Sequence, residues 1–389
     1  MRQSFSSLTG LHPNDAEWEQ ATRSFDTAGL GLRSAALHSS GAYLTSRAAS
    51  FERCREIDGH HVWEVSVPNS HPAKALEALS EALGPEASFP AERLSIMRQK
   101  NVSAKIDKAK FDRQFASGLA PLRAHLLSEC LPGAGGFLSA VPSKALGLAF
   151  EPAEFTAELQ ARLWMDVYPA DRFCPCCDAV LDAKGAHARS CMAAGDVVAC
   201  HNGARNLVGR VASSAGYAPT LEKPELLPPR PNDPAGSNLR RPADVYLPAW
   251  DHGAPAALDL AIVSPQRQGI VAQAAVTAGA AACAYATHKR SHLQTEAECA
   301  AQGVAFLPMV AESSGGWGAD GLKVLRRLAK ASAAKTGGDE SVAVGELLQR
   351  LCVTIRRAKA RAVLRRAGHH LEPTASAVEA ALGFLAPGA

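Results

Sequence analysis

The 389-residue chain has no run of about 18 apolar residues, so no membrane-spanning helix is expected. Its start carries Asp15, Glu17, Trp18 and Glu19 where a signal peptide needs an apolar stretch, and no export is expected. No two aspartates are adjacent, which excludes the aromatic-Ala-Asp-Asp type motif of a polymerase palm. There is no internal repeat, and the Ala-rich stretches read as compositional bias. Strong charge of one sign is missing too: a net charge of +3 and a pI near 8.3 are too mild to announce a nucleic-acid partner. With 47% hydrophobic and 20% charged residues, the chain is not disordered by composition and is long enough for two or three packed domains.

What is present is unevenly distributed. Arg350, Arg356, Arg357, Lys359, Arg361, Arg365 and Arg366 fall in a segment without an acid, with Leu351, Ile355 and Leu364 at helical spacing. That predicts a basic amphipathic helix, read equally as a solvated surface helix or as a phosphate-contacting one. Of ten cysteines, Cys174, Cys176, Cys177, Cys191 and Cys200 crowd one window. Without an export signal, such clustering points to a metal rather than to disulfides.

Cys174 and Cys177 are separated by two residues, nine more lead to His187, and three separate it from Cys191. Two close pairs of soft or borderline ligands can close a tetrahedron around Zn²⁺, and a full shell makes the site structural rather than catalytic. The competing reading is a set of buried free thiols. Cys176 is an alternative to Cys174 or Cys177, and Cys200-His201 an alternative final pair.

Residues 1–165 read as helical, with apolar residues at helical spacing over Ala75 to Leu83, Lys108 to Ser128 and Pro152 to Met165. Asn69-Ser70 and Glu151-Pro152 act as start signals. His12, His38, His60, His61, His71 and His125 are scattered there and read as ordinary surface or core residues. Residues 166–195 form the zinc knuckle, and a helix is expected over Asn202 to Ala215. Strands are expected over Ala218 to Glu222, Ala243 to Trp250 and Ala257 to Val263, the last two joined by the turn Asp251-His252-Gly253. One long Ala-rich helix over Gln268 to Gln302 stops at Gly303, and Val304 to Val310 is a buried strand. This order predicts an α/β fold: a helical N-terminal region, a zinc knuckle, a mixed-sheet core over 196–318 and flanking C-terminal helices over 319–389.

The hairpin brings Asp244 and Asp259, with fourteen residues between them, onto adjacent strands among Ala, Leu, Val and Ile. Two buried carboxylates repel unless a cation joins them, and oxygen ligands suit Mg²⁺ with phosphate oxygens. Asp244 paired with Arg240 or Arg241, and Lys289 on an exposed helix face, are the competing structural readings.

Ala243-Asp244 followed by Asp259-Leu260-Ala261, downstream of a Cys-Cys-His-Cys knuckle, resembles the restriction-like endonuclease of site-specific non-LTR retrotransposons, a branch of the PD-(D/E)xK nucleases. Gly29 to Arg33 with Ala42 to Leu44, and Leu131 to Ala134 through Leu146 to Leu148, are similar to the segment after the polymerase thumb in such proteins. Gly315-Gly316-Trp317-Gly318 and the basic helix also fit. The resemblance implies a restriction-endonuclease-like core, structural zinc, catalytic Mg²⁺, a DNA target, and nuclear localisation. It also implies element RNA and a separately encoded reverse transcriptase as partners, and a chain that is one part of a retrotransposon protein. It implies Asp244 and Asp259 as Mg²⁺ ligands, and Lys289 in the place of the family lysine, since the position two after Asp259 is Ala261. Glu222 is a further candidate acid, and the family's Arg-His-Asn appears as Cys200-His201-Asn202. The alternative function is a non-catalytic, zinc-organised nucleic-acid-binding fragment of a decayed element.

Overall fold

The structure is a computed structural model in which residues 1–62, 65, 67–84, 98–229, 240–369 and 371 are described. The last part of the 319–389 region lies outside them. The chain is mixed α/β and divides into two compact units, Met1–Leu119 and Ala120–Ala389.

The first unit is helical: α1 (Arg2–Thr9), α2 (Asp15–Ala21), α3 (Ala35–Ile57), α4 (His71–Leu83) and α5 (Gln99–Ser117). Leu44, Leu79, Val102 and Ile106 form its core between α3, α4 and α5. Ser70 starts α4 as the sequence predicts, its hydroxyl accepting the Ala73 N–H. Buried Asp107 takes Arg33 at 3.1 Å and lies 3.7 Å from His38. The helix expected over Lys108 to Ser128 is broken at Gly118, and the division between the units falls there.

The second unit contains α6 (Ala120–Glu129), α7 (Gly136–Ser139), α8 (Pro152–Arg162), β1 (Arg172–Phe173), β2 (Val180–Leu181), α9 (Asp196–Ser214), β3 (Thr220–Leu221), β4 (Val245–Asp251) and β5 (Ala254–Val263). It continues with α10 (Val271–Ala274), α11 (Ala280–Ser291), α12 (Thr295–Ala301), β6 (Ala305–Glu312), α13 (Ala319–Thr336) and α14 (Glu340–Arg366). Helices α6, α7 and α8, read from the sequence with the region before them, pack here against α10 and α14. Leu131-Pro132 meets Gly316-Trp317: the Trp317 N–H donates to Pro132 O at 3.1 Å. A Cβ on Gly316 would stand 2.4 Å from Leu131 Cβ, so only glycine lets the segments meet.

The sheet runs β3-β4-β5-β6, antiparallel except for the parallel β5/β6 pair. It is small and mixed, as expected. Positive φ at His252 (47°) and Gly253 (84°) closes the β4/β5 hairpin with the two-residue turn geometry that matches strand twist. The first strand is shorter than Ala218 to Glu222, because both end residues take positive φ of 46°. The alternation of β5 divides two cores. Ala256, Leu258 and Leu260 face α9, α13 and α14, whereas Ala261 and Val263 face Ala281, Ala282 and Ala286 of α11.

The single helix expected over Gln268 to Gln302 is instead three. Gly279 (φ 74°), Leu293 (φ 53°) and Gln294 (φ 56°) break it, so that α11 covers Ala261 and Val263 while α12 brings Cys299 against Ala257 and Phe306. Alanine favours helix throughout such a stretch, and packing on the sheet overrides that preference.

Candidate functional site

The β1/β2 hairpin carries Cys174 and Cys177, its end closed by the Cys174 N–H donating to Ala179 O at 2.9 Å. The return segment is fixed by Asp182, whose carboxylate accepts the N–H groups of Ala186 (2.9 Å) and His187 (2.7 Å). Ligand atoms of Cys174, Cys177, His187 and Cys191 consequently all lie within 4.8 Å of one another. Cys177 Sγ stands 3.8 Å from Cys191 Sγ and 3.3 Å from His187 Nε2. Two thiolates at the usual Zn–S distance and tetrahedral angle are about 3.8 Å apart, so the donors fit zinc. Cys176 is exposed and outside the group. Cys200 is buried on α9 with its thiol toward Ile355 O at 3.9 Å, and His201 belongs to the second site, so neither alternative ligand set is formed.

The module is held on α14. Tyr168 Oη donates to Val363 O at 2.8 Å, and Val363 joins Leu181 and Ala188 in its core. Arg366 lies beside the Cys191 and Cys174 sulfurs and pairs with Asp196 at 2.9 Å.

The second site lies where β4 begins beside β5. Asp244 takes over backbone pairing there: its N–H donates to Leu258 O at 2.9 Å and its Oδ2 accepts the Leu260 N–H at 2.6 Å. Asp259 is on the opposite face of β5 from Leu258 and Leu260, between Ala257 and Ala261, whose small side chains leave room for it. From α11, Lys289 brings Nζ to 3.1 Å from both Asp259 oxygens. Tyr285 and Lys289, four residues apart, share the α11 face that Ala286 lays on the sheet. Burial pushes the Asp259 carboxyl up to about 6; Lys289 opposes this and the Asp244 charge adds to it. Burial also works against the Lys289 charge, but Asp259 outweighs it and holds the amine above its ordinary value. Asp259 Oδ2 is buried and accepts no well-aligned hydrogen bond, the Lys289 amine being its close partner; as a hard oxygen it is a donor of the kind that suits a divalent cation.

Glu222 reaches the rim but does not join that group. Its N–H donates to Asp244 O at 3.0 Å, while its carboxylate faces Arg205 and, at 3.3 Å, Arg241. The competing structural reading, Asp244 paired with Arg240 or Arg241, is not formed: Arg240 pairs with Glu298 and Arg241 with Glu222. Sequence reading left the role of His201 open and missed Arg205. His201 Nε2 lies 3.2 Å from Asp244 Oδ2 and 3.2 Å from Leu260 O, and the Asp244 hydrogen bond holds its pKa above the ordinary value. The available signal was their i, i+4 spacing on a helix whose other face is Ala204, Leu207 and Val208.

The basic helix is α14, and Arg356, Arg357, Arg361, Arg365 and Arg366 are committed within the unit. Buried Arg356 pairs with Glu129 and, at 3.0 Å, with Glu158. Arg361 takes Glu154 at 2.7 Å, Arg365 takes Asp196 at 2.5 Å, and Arg357 donates to Gly147 O and Ala149 O. It is therefore not simply a solvated surface helix. Acids from α6, α8 and α9, far away in sequence, pair with it.

Compared with known protein families and with curated proteins, the chain matches none.

Proposed function

We propose that the second unit is a metal-dependent DNA endonuclease of the restriction-like type, organised by a structural zinc, from a non-LTR retrotransposon protein that acts on nuclear DNA. One observation carries the reading: an amine and a buried carboxylate, 30 residues apart, meet at 3.1 Å on a sheet face whose adjoining strand supplies a second carboxylate. The donors that Asp244 and Asp259 offer are hard oxygens, as Mg²⁺ requires. Bound there, a divalent cation supplies positive charge to phosphoryl oxygens and acidifies water. Lys289 stands where it can orient the attacking water and balance charge at the phosphate. His201 and the Leu260 N–H hold the Asp244 carboxylate in place, and Arg205 keeps Glu222 away from it.

Mg²⁺-dependent nicking of supercoiled plasmid tests this. Asp259→Asn keeps shape and burial but removes charge, so nicking should fall by orders of magnitude while zinc content is retained. Asp259→Asn protein that nicks at the parental rate, or a parent with no Mg²⁺-dependent nicking, leaves the zinc-organised binding module as the better reading.

A further inference from the structure

Beyond Asp259, the face of β5 that carries it opens into a hollow of about 280 Å³ lined by Val263, Ser264, Arg267, Ile270, Tyr285 and His288, among others. No acid lines it. Val263 lies four residues past Asp259 on the same face, about 13 Å along the strand. At about 3.4 Å per stacked nucleotide, that is within four steps of a phosphate held at Asp259. Tyr285 stands between the two places: its ring centre is 5.8 Å from Lys289 Nζ and 5.8 Å from the His288 ring. Arg267 is exposed, and its guanidinium has no ion pair or hydrogen bond among the described residues, unlike Arg356, Arg361 and Arg365 of α14.

We propose that this hollow is a nucleotide subsite, taking one base and its phosphate from a DNA strand led past Asp259. The identity of the strand rests on the nuclease reading. The hollow is near the small end of ligand pockets, large enough for one base with its sugar but not for a duplex. Its apolar floor and the Tyr285 and His288 rings offer the π-faces on which a base stacks whatever its sequence, and Arg267 offers a free fork for a phosphate.

The test is fluorescence anisotropy of a labelled single-stranded DNA oligonucleotide with the full chain, without Mg²⁺, over a range of salt. Arg267→Ala should weaken binding and flatten the slope of log affinity against log salt by about 0.7, the share of one phosphate on a single strand. Tyr285→Leu, which keeps the apolar packing, should lose on the order of tenfold in affinity, and Tyr285→Phe should not. Arg326→Ala removes an equally uncommitted cation from α13 and should leave the affinity unchanged. No binding by the parent, an unchanged slope in Arg267→Ala, or an equal loss in Arg326→Ala overturns the subsite. These measurements do not depend on cleavage. A protein that binds as described but never nicks keeps the subsite and loses the nuclease, and one that nicks with Arg267→Ala binding unchanged does the reverse.

Discussion

A buried carboxylate and a buried thiol are governed here by what stands within 4 Å of them. At the knuckle, Cys174→Ser or His187→Ala opens the ligand shell, and stoichiometric zinc should be lost on purification; Cys176→Ser should keep it, since that thiol is exposed and outside the group. Metal analysis with matched melting curves reads both outcomes. At the second site, Lys289→Ala should slow nicking with less effect on the Mg²⁺ concentration required, because the amine faces water and phosphate as well as Asp259. His125 gives a pH prediction. Burial lowers its pKa from 6.5, with Glu129 opposing, while Nε2 stays 3.0 Å from Arg162 O. The unfolded chain therefore binds this proton at higher pH than the folded one, and the contribution of the neutral ring is lost as pH falls from 6.5 towards the lowered folded value. Urea midpoints of the parent and of His125→Gln should converge over that fall; a constant difference would show that His125 does not titrate on unfolding.

Among the elements, α14 is a central strut of its unit, packed against α7, α8, α9 and α13. Arg356 is fully buried between Glu129 of α6 and Glu158 of α8, and Glu158 also takes Arg189, beside the Cys/His cluster, at 2.5 Å. Removing one member of such a cluster strands the others in a low-dielectric interior. Arg356→Ala should cost about 3–5 kcal/mol in unfolding free energy, measured by urea titration, with no change in the salt slope of DNA binding. A flattened slope at parental stability would restore the phosphate-contacting role.

At the scale of the molecule, the helices over 120–162 pack against α10 and α14, so a chain beginning at Ala120 should fold, hold zinc and bind the single-stranded oligonucleotide as the full protein does. Failure of that chain to retain zinc would show that its fold depends on the first unit. Chelation of the zinc should lower the melting temperature by more than unfolding of the knuckle alone explains. Arg366, near the Cys174 and Cys191 sulfurs, pairs with Asp196 at the start of α9, the helix that positions His201.

Legible from near neighbours along the chain were the knuckle spacing, the Asp251-His252-Gly253 turn, the alternation of β5, the Ser70 cap and the presence of Asp244 and Asp259 on one hairpin. Each is written within a few turns of chain, where stereochemistry leaves few choices. What depends on residues far apart was settled by the packed fold. It chose among the ligand sets of the knuckle, because burial and distance separate Cys177 from Cys176 and Cys200. It broke the Ala-rich stretch at Gly279 and Leu293, since alanine's helix preference carries no record of the sheet that must be covered. It brought Lys289 to Asp259 and His201 to Asp244, and it turned a basic helix into a buried one, because the carboxylates that neutralise Arg356 are roughly two hundred residues away in the chain.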